Sequence, residues 1–134
     1  MDFNVLAHST DPDNRIFAAE HGYGLEILVH DPDSEVRLAV ALQGYGLDEL
    51  INDPDPMIQE AATYMSYVKD DRLSRRLEAA YNGYGLNILI NDESWIVRQA
   101  VAEQGFGLDI LVKDELWMVR KTVAEQGYGL VSYP

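Results

Sequence analysis

Few residues in this chain have the type and spacing that catalysis or metal binding requires. The three histidines are His8, His21 and His30, and no tight ligand spacing places them together around a metal ion. The recurrent "DPD" acids lack the glycine and the distal glutamate of a calcium-binding loop. Ser9 and Ser34 lie in turns, and no motif places a base beside either hydroxyl. The sequence therefore predicts no catalytic residue, no metal and no cofactor, and an enzyme or metal protein stays only as an alternative.

The composition excludes several further classes of protein. The chain has 134 residues, 47% of them hydrophobic, and no cysteine, so disulfides and thiolate metal sites are excluded. The opening "MDFNVLAHSTDPD" has an early acid and no long apolar run, which argues against a signal peptide. No segment approaches the ~18 apolar residues of a membrane span. We therefore expect a cytoplasmic protein with no membrane partner.

The acidic charge is concentrated in the first half of the chain. Residues 1–65 hold 13 acids and 2 bases, a formal charge of −11, whereas residues 66–134 hold 10 acids and 8 bases. Such a surface repels phosphate backbones, so we expect no direct nucleic-acid partner. The acidity favours either simple solubility or attraction to a partner protein with a basic surface.

A glycine–aromatic–glycine unit recurs through the chain. The first glycines follow one another at intervals of 22, 39, 22 and 22 residues, and the long interval holds one full period plus a shortened unit. Ser66-Tyr67-Val68 is interpreted as a degenerate copy at the missing place. The first glycines and the rings that follow them are Gly22, Gly44, Gly83, Gly105 and Gly127, with Tyr23, Tyr45, Tyr84, Phe106 and Tyr128.

Each repeat predicts two helices of unequal length. A short apolar segment follows the second glycine, an acidic turn comes next, and a longer segment carries apolar residues at helical spacing. Asp11, Asp33, Asp55 and Ser94 stand where an N-cap is expected, and proline follows two of them. The first glycine suits the left-handed residue that ends a helix, and the ring is predicted to fill the joint. Because strand signals are absent, we interpret the glycines as structural and not as a phosphate-binding loop.

An acid six residues before an arginine also recurs, as Asp31/Arg37, Asp70/Arg76, Asp92/Arg98 and Asp114/Arg120. This pattern resembles the Asp/Arg ladder of HEAT repeats, and "DPDSEVRLAVALQ" resembles the leucine-rich repeat variant, over nearly the whole chain. The resemblance implies an all-α, right-handed solenoid of about six ~22-residue repeats, each with a short or 3₁₀ helix and an α-helix. We therefore expect one domain over 1–134, with acidic repeats in 1–65, an irregular junction at 66–82 and further repeats in 83–134. The variant's usual Asn-Pro joint and its cysteine cluster are absent, so no redox role is implied.

Two apolar outliers suggest a contact surface. "SWIVR" and "LWMVR" place Trp95 and Ile96, and Trp117 and Met118, at helix-start positions that are more polar in earlier repeats. The tryptophans either fold back over the joint or form an exposed ridge, the composition typical of an interface hot spot. The ridge would serve a partner or a homodimer.

We predict a non-catalytic protein–protein interaction module. Its apolar anchors would lie in the C-terminal repeats, and acids of the N-terminal repeats would attract the partner: Asp13, Glu35 and Glu49. The alternative is an acidic inhibitor that imitates nucleic-acid charge, of the phage counter-defence or anti-CRISPR type.

Overall fold

The computed structural model describes residues 2–129, and this part of the chain contains eleven α-helices and no strand. Short helices alternate with long ones over most of it. The short helices are α1 (Phe3–Ala7), α3 (Leu25–Leu28), α5 (Leu47–Leu50), α8 (Leu86–Leu89) and α10 (Leu108–Leu111). The long helices are α2 (Pro12–Glu20), α4 (Ser34–Leu42), α6 (Pro56–Tyr67), α7 (Leu73–Tyr81), α9 (Trp95–Glu103) and α11 (Trp117–Glu125). The chain is thus all-α, as predicted, and each short helix is an α-helix and not a 3₁₀ helix.

The contacts divide the chain into two compact units, Met1–Ser66 and Tyr67–Pro134, called unit 1 and unit 2 below. The division falls at the start of the junction that the irregular repeat spacing indicated. Within unit 1, α2 packs against both α1 and α4. Within unit 2, α9 packs against both α7 and α11.

The core of each unit consists of small and branched side chains at helical spacing. Val36 and Val40 of α4 are fully buried, as are Val97 and Val101 of α9. The four short helices α3, α5, α8 and α10 each contribute one leucine to the core, for example Leu50, which is 2% exposed, and α1 contributes Ala7. Alanines on the same faces allow neighbouring long helices to approach closely.

Helix starts follow the predicted capping chemistry. The side chains of Asp11, Asp33 and Ser94 accept a hydrogen bond from the backbone N–H two residues later, at the N-caps of α2, α4 and α9. Asp55 makes the same bond with the N–H of Met57 at the start of α6. These bonds satisfy backbone donors that a helix N-terminus leaves free.

The two glycines of each joint have different tasks. After α4, Gly44 has φ +80°, and the N–H groups of Gly44 and Tyr45 donate back to the carbonyls of Ala41 and Val40. This is a Schellman motif, which ends the long helix. The second glycine, Gly46, also has a positive φ, +65°, and is the N-cap of the next short helix.

The aromatic rings do not fill the joints, contrary to the sequence-based expectation. Tyr23, Tyr45, Phe106 and Tyr128 are 40–44% exposed, and Tyr84 is half-buried. A residue at the end of an earlier helix lies against the second glycine of the joint instead. A Cβ added at Gly46 would lie 2.6 Å from Val29 Cγ2, and one added at Gly85 would lie against Val68.

The shortened repeat has lost its short helix. Ser66 and Tyr67 belong to the last turn of α6, which has 12 residues where the regular long helices have nine. Val68 then packs at Gly85, as Val29 packs at Gly46, so Ser66-Tyr67-Val68 is not a degenerate joint. Between α6 and α7 the chain thus has neither a glycine pair nor a short helix.

Candidate protein-interaction surface

The most regular side-chain contacts form an Asp/Arg ladder within each unit. Each ladder arginine donates its Nε to the carboxylate of an aspartate 16 residues later, at 2.7–2.9 Å. The same guanidinium donates its Nη1 to the carbonyl oxygen of the residue six positions earlier. The six-residue interval in the sequence thus reflects a backbone contact, and each carboxylate pairs with the arginine of the preceding repeat. The pairs are Arg15–Asp31, Arg37–Asp53, Arg76–Asp92 and Arg98–Asp114.

The ladder is a set of largely buried ion pairs. The aspartate side chains are 5–9% exposed and the arginine side chains 11–16% exposed. Burial by itself raises the pKa of Asp53. Its hydrogen bonds with Arg37 and with the N–H of Asp55 lower the pKa by more than burial raises it, so the net pKa is below the ordinary value. Its partner Arg37 has a raised pKa because it donates to that carboxylate. These charges are paired within each unit and are not free to pair with a ligand.

The ladder ends differently in the two units. In unit 1, Ser9 stands in the first acidic position, and Gln59 replaces the last arginine and still donates to the carbonyl of Asp53. In unit 2, the first aspartate, Asp70, pairs with Arg72, and that hydrogen bond lowers the pKa of Asp70 to about 2. The last arginine, Arg120, is exposed and donates to the carbonyl of Asp114, and no carboxylate of residues 2–129 forms an ion pair with it.

Apart from histidine and two arginines of the ladder, every charged side chain of unit 1 is acidic. Its only arginines, Arg15 and Arg37, are both held in the ladder, and it has no lysine. The eleven acids that remain after the two ladder aspartates therefore meet no exposed arginine or lysine of this unit. Unit 2, by contrast, has exposed arginines and lysines beside its acids, such as Arg72 and Lys121.

The three acids that the sequence singled out lie on this surface. Asp13 and Glu35 stand at equivalent places in the first turns of α2 and α4, and both are exposed. Glu49 of α5 is exposed as well, and its carboxylate lies 3.4 Å from His30 Nδ1. Asp13 and Glu35 share one side of neighbouring long helices, whereas Glu49 belongs to a short helix.

A groove of about 470 Å³ lies between α2 and α4, and the sequence analysis did not identify it. Its floor is apolar and is formed by Ile16, Leu38, Ala39 and Leu42. Its polar lining residues are Glu20, Glu35 and Gln43. Leu42 is 46% exposed although it is a large apolar side chain. The signal in the sequence was that Leu38 and Leu42 of α4 take positions that are polar in α9, where Gln99 and Glu103 stand.

The predicted tryptophan ridge is only partly exposed. Trp95 and Trp117 are the first residues of α9 and α11, which pack side by side in unit 2. Trp117 is 58% exposed, whereas Trp95 is half-buried. Ile96 and Met118 are half-buried too. The four residues thus lie on neighbouring helices, and Trp117 is the most exposed of them.

An aromatic cluster near the N-terminus was also not predicted from the sequence. The ring of Phe3 stacks on Phe17, His21 and Tyr23, with centroid distances of 5.7, 4.6 and 4.9 Å. His21 donates its Nδ1–H to the carbonyl of Phe17, and His8 donates likewise to Asn4. The cluster fixes α1 on α2. Over residues 2–129, no group of three or more potential ligand side chains is placed to hold a metal ion.

Comparison with known proteins returned no relative: no family model, no curated protein and no solved structure matches this chain. In the part of the chain that the structure describes, no helix has the length and apolar character needed to cross a bilayer.

Proposed function

We propose that this chain is a non-catalytic protein-binding module, built as an α-solenoid of about six short repeats, that recognises a partner with a basic surface. The observation that carries the proposal is the surface of unit 1, where both arginines are paired and largely covered in the ladder and the other charged side chains, apart from histidine, are all acids. Such a field raises the association rate with a basic partner and rejects acidic ones.

Unit 2 carries a second, apolar contact surface in this proposal. Trp117 is exposed at the start of α11, with Met118 beside it, and Trp95 and Ile96 stand at the equivalent place on α9. Exposed tryptophan is enriched among interface hot spots, where truncation costs about 2 kcal/mol or more of binding. A second copy of the chain is the alternative occupant of this ridge, and sedimentation of Trp117→Ser against the parent chain distinguishes the two.

The test uses the partner that the parent chain captures from its host, purified and studied by itself. The triple variant Asp13→Lys, Glu35→Lys, Glu49→Lys changes the charge of unit 1 by six units. We expect its association rate at low salt to fall by at least tenfold and its salt dependence to weaken. An unchanged rate would contradict the proposal and leave the acidity as a solubility device.

A matched control separates local attraction from net charge. The variant Glu93→Lys, Asp109→Lys, Glu125→Lys changes the total charge by the same six units, but on exposed positions of unit 2. We expect this control to slow association much less. Equal slowing by both variants would show that only the total charge matters, and would remove unit 1 as the recognition surface.

The second candidate function is an inhibitor that occupies a nucleic-acid-binding groove, favoured by the absence of any exposed arginine or lysine on unit 1. An acidic surface of this kind imitates the charge of a phosphate backbone. Competition decides between the two functions: duplex DNA or RNA should displace the chain from its partner if it is such a mimic. Unchanged binding in saturating nucleic acid would leave the general protein-binding function.

A further inference from the structure

The groove between α2 and α4 combines apolar side chains with two carboxylates. Its floor holds Ile16, Leu38 and Leu42 around the small side chain of Ala39. Glu20 in the last turn of α2 and Glu35 in the first turn of α4 line the same groove. Neither carboxylate forms an ion pair with any residue of the described range 2–129.

We propose that this groove binds an amphipathic helix of the partner, with apolar side chains on one face and lysine or arginine at the edges of that face. The proposal rests on the proposed function and names the element that unit 1 would recognise. Apolar side chains of the helix would cover Ile16 and Leu42, and its basic side chains would pair with Glu20 and Glu35.

The shape of the floor favours a helix over an extended strand. Leu38 and Leu42 are four residues apart on one helix, so they lie about 6 Å apart along its axis. Side chains at i and i+4 of a bound helix have the same spacing and can fit between them, above Ala39. A strand would need free backbone groups to pair with, and the backbone of α2 and α4 is already hydrogen-bonded within its own helices.

The negative charge of the groove favours an occupant with positive charge. Two unpaired carboxylates within a unit of formal charge −11 repel an acidic helix, a phosphate backbone and an anionic lipid surface. An apolar helix without charge would gain the floor contacts but would leave Glu20 and Glu35 beside its apolar surface without partners. A helix with basic flanks satisfies both requirements.

The probe is a fluorescein-labelled 18-residue peptide of leucine and lysine, arranged with the leucines on one helical face. A second peptide with the same composition and a scrambled order serves as its control. Binding to the parent chain is followed by fluorescence anisotropy at low salt. We expect the amphipathic peptide to bind at least about tenfold more tightly than the scrambled one, since only it can place leucines on the floor while its lysines meet the acids. Equal affinity for the two peptides would overturn the proposal.

Two matched pairs of variants locate the site. Glu20→Gln with Glu35→Gln removes two charges from the groove, and Glu26→Gln with Asp48→Asn removes two exposed charges outside it. We expect the groove pair to weaken peptide binding about tenfold and the outer pair less than about threefold. Equal effects would mean that the peptide senses only the overall field, and would overturn the groove as its site.

The apolar floor is tested in the same way. Leu42→Gln replaces a groove side chain that is 46% exposed, and Ile27→Gln replaces one outside the groove that is 49% exposed. Only Leu42→Gln should weaken binding, by about fivefold or more, with circular dichroism confirming that both variants fold. No effect of Leu42→Gln, or no binding by the parent chain, contradicts the groove proposal. Neither result decides the proposed function, because that test uses the native partner and the acids of the whole unit.

Discussion

The two glycines of one joint should respond differently to the same small substitution. Both Gly44 and Gly46 have φ values of +65° to +80°, where an alanine costs about 1–2 kcal/mol. At Gly44 an added Cβ meets only Met65 Cε at 3.9 Å, an ordinary contact. We therefore expect Gly44→Ala to lower the free energy of unfolding by the conformational cost alone, about 1–2 kcal/mol.

Gly46→Ala adds a steric cost to the same conformational one. Its Cβ would lie 2.6 Å from Val29 Cγ2, and Val29 is 6% exposed and branched at Cβ, so it has little freedom to move. Overpacking of this kind costs about 1–3 kcal/mol, so the total loss should be about 2–5 kcal/mol. The close approach of the joint to the preceding short helix, and not the turn alone, then explains why glycine occupies this position.

A double-mutant cycle isolates the steric part. Val29→Ala removes Cγ2 and leaves the Val29 Cβ 3.7 Å from the new Cβ, which is an ordinary contact. Alone, Val29→Ala should cost about 2 kcal/mol from lost burial and a small cavity. In the Gly46→Ala background it should cost much less, with a coupling of about 1–3 kcal/mol measured by urea denaturation. Equal losses at Gly44 and Gly46, or strictly additive losses in the cycle, would refute this reasoning.

Three further predictions concern the ladder, the N-terminal cluster and the tryptophans. Asp53 has a lowered pKa in the folded chain, so below about pH 5 the unfolded chain binds more protons at this group, and the stability it contributes is lost as pH falls. Asp53→Asn should therefore cost about 3 kcal/mol at pH 7, and denaturation curves should show this difference shrinking toward pH 3. Phe3→Ala removes three ring contacts, and because the five-residue α1 cannot persist alone, hydrogen exchange should show its amides unprotected while the rest of unit 1 stays folded. Trp117→Ser should change the free energy of unfolding by less than about 1 kcal/mol, whereas Trp95→Ser should cost about 1–2 kcal/mol because its side chain is partly covered. The reverse order would contradict the choice of Trp117 as the exposed contact residue.

The helix starts and ends were predictable because they depend on residues adjacent in sequence. An aspartate that caps a helix bonds to a backbone N–H two residues away, and a left-handed glycine ends the same helix. The filling of the joint was not predictable in this way. It depends on Val29, which lies 17 residues before Gly46, and the nearby ring of Tyr45 appeared the better candidate until its 40% exposure was known.

The proposed interaction surface was predictable only in its net charge. Counting acids located the negative surface in the first half of the chain, but the same count could not show that Arg15 and Arg37 are withdrawn into buried pairs. It also could not distinguish Trp95 from Trp117, since both precede the same residue types in matching helices. Their exposures differ although the local sequences are nearly the same.

The ladder itself strengthens the argument that the acidity serves recognition. Each unit contains two Asp/Arg pairs of nearly the same geometry, so the internal electrostatics of the two units are alike. The difference between −11 and −2 in formal charge therefore lies outside these pairs. Unit 2 shows that this repeat accepts exposed lysine and arginine, such as Lys121 on α11, without loss of the ladder. The fold thus does not require an all-acidic exterior, and mutual repulsion among the acids lowers the stability of unit 1. Recognition of a partner with a basic surface would explain the acidic exterior of unit 1, and the charge-reversal experiment on unit 1 tests this explanation directly.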